Sequence, residues 1–361
     1  MDFCRGGRRT HTCSTANELG WVAVGDLVTF GEALVRLSPP DGARLETADR
    51  LDLRIAGAES NVAIAAARLG VESAWLSKLP ASPLGRRVAG EIRRHGVVPL
   101  VSWDDAARDP RETSRQGIYY LEPGSKPRGT NVIYDRADAA ITTADPSELD
   151  TAAIEEASMF FTTGITPALS STLAETTARL CSIARAADTA IGFDLNYREK
   201  LWSAPSARAC YERLLPDVDL LFAPERDARS VLAPTLGVED APEEDDDGRE
   251  HPAAIARTLA SRFDIETVVM TRGEAGAIAV HDGDVYERPA IECETVDPIG
   301  TGDAFVGGFL AEWLDDGSIE EALSFGAATA ALKRTIPGDI AVLDRREVEA
   351  VLSDRSGGID R

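Results

Sequence analysis

Short apolar runs, each closed by small or polar residues, recur along the chain and read as strands. They are Val22–Val24 with Leu27–Phe30, then Ala74–Leu79, Ser158–Thr163, Ala190–Asp194, Val218–Ala223 and Thr267–Met270. Leu51–Ile55 alternates and reads as a strand with one wet face. Gly117–Glu122 and Asn131–Arg136 flank a Pro/Gly turn and read as a hairpin. Tyr286–Val296 alternates weakly and reads as strand and edge. Helical stretches lie between. Ala63, Ala65, Ala66 and Ala67 predict a tightly packed helix that stops at Gly70. Others are expected from Leu84 to near Gly96, and over 170–187, 252–262 and 319–334. Phe305, Phe309 and Trp313 recur every four residues and share one helical face.

Composition narrows the class. The 361 residues are 43% hydrophobic, enough to bury the core of one large α/β domain or two ordinary ones. No apolar run approaches the roughly 18 residues of a membrane-spanning helix, so no membrane partner is expected. Net charge is −23, and the lysines are only Lys78, Lys126, Lys200 and Lys333. An acidic, lysine-poor surface resembles proteins of extreme halophiles, where salt screens carboxylate repulsion. The charge argues against nucleic acid as a partner. It leaves room for a small phosphorylated ligand. Cys4, Cys13, Cys181, Cys210 and Cys293 show neither metal spacing nor a disulfide framework, and cytoplasm is the expected location. His11, His95, His251 and His281 form no cluster, so no His-based metal site is expected.

The chemistry concentrates in Asp297–Ala311. Gly300 and Gly302 remove side chains where the backbone turns into a helix. Free N–H groups and the helix dipole there make an anion site, and a phosphate chain is the obvious anion. Asp303 cannot bind phosphate. It either caps the helix or accepts a proton from an attacking hydroxyl. A base beside an anion hole suits phosphoryl transfer. Upstream, Gly57 leaves space for a ligand, and Asn61 offers donors and acceptors to hydroxyls. Asp194, Asn196 and Arg198 alternate after an apolar strand and point the same way.

Gly300-Thr301-Gly302-Asp303 with Asp297 resembles the C-terminal motif of the ribokinase-like, or PfkB, carbohydrate kinases. Gly57-Ala58-Glu59-Ser60-Asn61 resembles their N-terminal motif, with Ala56 for the first glycine. The resemblance spans roughly residues 24–352. It implies a ribokinase-like, three-layer, doubly wound, mostly parallel sheet with a small β-sheet lid. It implies Asp303 as catalytic base, with Gly300, Thr301 and Gly302 forming the anion hole. ATP is the implied phosphoryl donor, with Asp194, Asn196, Arg272, Gly273, Gly276, Gly300, Gly302 and Ala327 on its side. Where the family has Asn-x-x-Glu, this chain has Pro224 and Asp227. A magnesium ion is therefore expected at Asp227, with Glu225 in reserve, held through water. Gly338-Asp339 is the expected position of a potassium loop.

Several segments resemble the 2-keto-3-deoxygluconate kinases of that family: the N-terminal motif, Tyr134-Asp135-Arg136, Gly164–Leu169, and Asp194-Leu195-Asn196-Tyr197-Arg198. Substrate contacts are then expected from Gly57, Asn61, Tyr119, Tyr134, Arg136, Arg198 and Asp303. Arg198 is expected to hold the acid sugar's carboxylate in a two-pronged bond. A fructokinase or ribokinase, or a sugar-acid sensor that lost turnover, are the alternatives. A nicotinamide dehydrogenase fits poorly, because no glycine fingerprint follows the first strand. The expected organisation is an N-terminal extension over 1–22 and a kinase domain over 23–354. Lid segments fall near 31–55 and 115–136, an acidic surface insertion at 239–250 and a tail at 355–361. A homo-oligomer through the lid sheet or outer helices is expected.

Overall fold

The computed structural model describes residues 25–40, 42–105, 114–236 and 251–353. The expected extension at 1–22, the acidic insertion at 239–250 and the tail at 355–361 lie outside the described residues. So does Val22–Val24 of the first strand.

Two sheets organise the described chain. The strands are Leu27–Phe30 (β1), Leu34–Ser38 (β2), Asp52–Ala56 (β3), Ser73–Pro80 (β4), Val98–Asp104 (β5), Ile118–Glu122 (β6), Asn131–Asp135 (β7), Met159–Thr163 (β8), Ala190–Asp194 (β9), Leu220–Phe222 (β10), Thr267–Thr271 (β11), Ala277–His281 (β12) and Asp284–Arg288 (β13). The large sheet runs β13-β12-β11-β10-β9-β8-β1-β4-β5, and the small one β3-β2-β6-β7. In the large sheet β5 to β11 pair in parallel, and only β12 and β13 run antiparallel.

The unbroken apolar runs follow from burial on both faces. Successive strand residues point to opposite sides. Met159, Phe161, Leu220, Phe222 and Val269 join one core, together with the helices Ala58–Arg68, Thr301–Trp313 and Ile319–Arg334. Phe160, Leu221, Val268 and Met270 join the other, beneath Ser171–Ala186, Ala204–Leu214 and Pro252–Phe263. This is the doubly wound architecture with a second, smaller sheet that the resemblance implies.

Most predicted elements stand where the pattern puts them. The helix expected from Leu84 begins at Pro83, because Ser82 caps it by accepting from the Gly85 amide at 3.1 Å. The hairpin over 117–136 is the antiparallel pair β6–β7. The strand expected over 286–296 ends at Arg288. Pro289 has no N–H to continue the ladder, and the chain runs on irregularly towards the glycine turn. The wet-and-dry alternation expected for Leu51–Ile55 is also absent: β3 is exposed at Asp52–Arg54 and buried at Ile55 and Ala56.

The small sheet covers the C-terminal ends of the large one. A register row crosses it from Arg54 to Arg36, Tyr119 and Tyr134. Leu34, Ala56, Tyr119 and Leu121 pack there against Ile299 of the glycine turn. The lid and the turn therefore share one apolar seam.

Candidate active site

The glycine turn is fixed from three sides. The Asp297 carboxylate accepts from the Ile299 amide at 3.0 Å, the Gly338 amide at 2.9 Å and Arg36 at 3.1 Å. Gly300 has φ +80°, and a Cβ there would sit 2.0 Å from the Asp339 carbonyl oxygen. Both conditions require glycine. Gly302 is different. A Cβ on it would meet nothing within 4 Å, so its side faces open space. The Thr301 hydroxyl turns back and donates to the Pro298 carbonyl at 2.7 Å. The helix Thr301–Trp313 then starts with its first amides at the cavity. It sits close to its neighbours because Gly307 meets Ala65 and Gly308 meets Thr329.

The cavity, of about 490 Å³, lies between this turn, the lid and the C-terminal strand ends. That is the ligand crevice of a doubly wound sheet. Asp303 accepts from Asn61 Nδ2 at 2.7 Å, across from the helix Ala58–Arg68. Burial pushes the Asp303 carboxyl up to about 6. The Asn61 bond and the charges of Arg198 and Lys333 oppose that rise, while Asp339 adds to it. The Asn61 Oδ1 is buried without a partner.

Asp194, at the end of β9, accepts from the Asn196 amide at 3.0 Å and from Asn196 Nδ2 at 3.3 Å. Asn196 takes φ +37° to fold back this way. Burial raises the Asp194 carboxyl well above its usual range, and the negative charges of Asp227 and Asp303 add to the rise. Asp227 is 1% exposed and accepts from the Tyr197 amide at 3.0 Å. Arg226 pairs with it at 2.8 Å. Arg198 donates to the Tyr197 carbonyl at 3.2 Å and forms no ion pair among the described residues. It lines the same cavity.

From the lid, the Tyr119 hydroxyl donates to Asp339 at 2.6 Å. Tyr134 lies against Tyr119, with ring centroids 5.8 Å apart. The Arg136 guanidinium stacks over Tyr134 at 4.3 Å and pairs with buried Glu32 at 2.8 Å. Gly57, Asn61, Tyr119, Tyr134, Arg136, Arg198, Asp194, Asn196, Asp227, Thr301 and Asp303 all line the cavity.

Other expected residues are not gathered there. Arg272 donates to Glu287 and, at 2.9 Å, to the Ala275 carbonyl, so its charge is spent within its own hairpin. Gly273 and Gly276 adopt left-handed φ of +60° and +89° to make that turn, away from the cavity lining. Ala327 packs in the core. Glu225 pairs with Arg229 at 2.8 Å and does not line the cavity, whereas Asp227 does. Gly57 is glycine because a Cβ would meet the Glu32 carbonyl at 2.1 Å, a backbone contact rather than a ligand contact. Among the described residues no three His, Cys, Asp or Glu side chains converge as a metal site.

Sequence reading assigned no site role to Glu32, Glu59 and Arg36. Burial pushes Glu59 up to about 7, against hydrogen bonds from Thr166 and Thr163. The Thr166 hydroxyl reaches it from the turn after β8, at 2.7 Å, and the Thr163 hydroxyl from the end of β8, at 2.8 Å. Nothing in the local pattern signals these partners, which lie more than a hundred residues away in sequence.

Comparison with known proteins agrees with this geometry. The model of the pfkB family carbohydrate kinases matches residues 24–346. A Haloferax volcanii protein named 2-dehydro-3-deoxygalactonokinase is 57% identical, over 93% of this chain and 99% of its own. A Thermoproteus tenax 2-dehydro-3-deoxygluconokinase is 30% identical, over 94% and 98%. The crystal structure of a 2-dehydro-3-deoxygluconokinase from Thermotoga maritima superposes with a TM-score of 0.80 at 32% identity, covering 91% of this chain and 98% of that one. With the family model matched over most of its length and such relatives spanned almost end to end, the chain belongs to the pfkB family of carbohydrate kinases and is an ATP-dependent kinase.

Proposed function

We propose that the protein phosphorylates the terminal hydroxyl of a 2-keto-3-deoxy hexonate (the 2-dehydro-3-deoxy acids of its relatives' names). Arg198 carries this reading. It lines the cavity and its guanidinium forms no ion pair among the described residues, with the carboxylates of Asp194 and Asp303 acting on it only from further off. A planar carboxylate accepts two parallel bonds from that fork, and a neutral sugar has no group to match it. Tyr134 and Arg136 flank the acceptor from the lid. The names of the relatives support an acid sugar. The higher identity to the Haloferax kinase favours the galactonate epimer over the gluconate expected from sequence.

The geometry supports the following roles. Asp303 takes the proton of the attacking hydroxyl. Asn61 fixes the carboxylate by holding one oxygen. The first amides of the helix Thr301–Trp313 face the transferring phosphoryl, and the bare side of Gly302 gives it room. Two buried carboxylates, Asp194 at the end of β9 and Asp227 in the short helix after β10, suit a magnesium ion. Such an ion takes few protein ligands and completes its shell with waters and phosphate oxygens. When bound, it neutralises phosphate charge.

The test is the ratio of kcat/KM for acid sugar over neutral sugar, in wild type and in Arg198→Leu. Removing one partner of a shielded charged pair costs about 2–5 kcal/mol. Turnover of the acid sugar should fall by that amount, and turnover of fructose or ribose far less. An unchanged ratio contradicts the assignment.

A further inference from the structure

Lys333 lies in the last turn of the helix Ile319–Arg334 and is 0% exposed. A buried ammonium is costly to desolvate and normally carries a carboxylate partner. Lys333 has none at ion-pair distance among the described residues. Its Nζ donates instead to two backbone carbonyls, Asp297 O at 2.9 Å and Ile336 O at 3.3 Å. The carboxylates of Asp297, Asp339 and Asp303 act on it from further off, and Arg36 opposes them with like charge.

The two carbonyls come from the two segments that build the glycine turn. Asp297 opens the turn and holds the Ile299 amide. Ile336 leads into the loop where Asp339 packs its carbonyl against Gly300. Arg36 clamps the same joint from the lid, at 2.8 Å from Asp339 and 3.1 Å from Asp297. Backbone carbonyls gathered on a single positive charge are the coordination that an alkali cation takes in place of water. Here a tethered ammonium holds that position.

We propose that Lys333 is a built-in cation that positions the turn carrying Asp303, so that turnover needs no added monovalent cation. The potassium expected beside Gly338-Asp339 is thereby replaced by a side chain. This rests on the reading of the turn as the site of phosphoryl transfer. Lys333 does not reach the cavity and acts through the Asp297 and Ile336 carbonyls.

The experiment exchanges tetramethylammonium chloride, too large for such a site, for KCl at constant ionic strength. Wild-type kcat and melting temperature should not depend on K+ beyond the general salt effect. Lys333→Ala leaves both carbonyls and an empty space. A small displacement of reacting groups costs about a hundredfold, and a kcat loss of that order is expected in tetramethylammonium chloride. KCl or methylammonium chloride should restore kcat and raise the melting temperature of Lys333→Ala relative to wild type. Lys333→Met fills the space with an apolar stem and should be impaired without rescue. A wild type that requires K+, or a Lys333→Ala that is fully active or insensitive to these cations, overturns the proposal. The melting arm needs no substrate, so it decides the matter even if neither acid sugar is turned over, which would instead sink the substrate reading. Should Lys333→Ala not fold, the wild-type arm still decides.

Discussion

Asp303 shows how one residue is tuned between two demands. Burial favours its neutral form, while Asn61, Arg198 and Lys333 favour the anion. The outcome near 6 leaves the group ionised at neutral pH yet basic enough to take a hydroxyl proton. As pH falls through about 6 the base is protonated, so kcat/KM should drop with decreasing pH and level off above it. Asp303→Asn keeps the shape and removes the base. A loss of about a hundredfold or more in kcat is expected, with acid-sugar binding retained. Near-normal turnover in that variant, or a flat profile from pH 5 to 7 in wild type, would remove Asp303 from the chemistry. The residues of this cluster were legible because each sits in a local pattern: glycines at a turn, Asn61 in a helix start, Arg198 after a strand. The partners that set their properties were not. Arg36 meets Asp339 across 303 positions, and Arg136 meets Glu32 across 104. No window of sequence contains both ends of such a pair.

Among the elements, the strands of the large sheet were the easiest to read. Burial on both faces writes their cores as unbroken apolar runs. The lid was legible only in part. Its hairpin β6–β7 declares itself by the turn, but β2 has no turn to mark its pairing with β6. The consequence of that pairing is mechanical. Arg54, Arg36 and Tyr119 stand in one row across three strands, and all three bond the loop after Lys333. The lid is thus tied to the loop that supports Gly300, and through Ile299 to the turn itself. The turn Thr271–Gly276, expected on the nucleotide side, is a hairpin corner whose first residue, Thr271, lines the cavity. Its glycines serve the tight turn between β11 and β12, and its arginine serves the β12–β13 edge. Glycine at a turn has the same appearance in sequence whether the turn meets a ligand or only another strand.

At the scale of the whole molecule, two properties frame the function. The first is charge. A net −23 with four lysines leaves carboxylates repelling one another in dilute buffer. Salt screens that repulsion, with a Debye length of about 10 Å at 0.1 M and about 3 Å at 1 M. Melting temperature should therefore rise from dilute buffer to molar KCl, and a flat or falling curve would remove the halophilic reading. The second is architecture. The sheet supplies acidic side chains, the lid supplies aromatic and cationic groups, and the glycine turn supplies a buried carboxyl beside amides. In the proposed reading, an acceptor with a carboxylate at one end and a hydroxyl at the other engages Arg198 and Asp303 together. The most direct measurement is wild-type kcat/KM with ATP in high KCl across 2-keto-3-deoxygalactonate, 2-keto-3-deoxygluconate, fructose and ribose. The account predicts that both acid sugars exceed both neutral sugars, with the galactonate epimer first. A preference for fructose or ribose would contradict it.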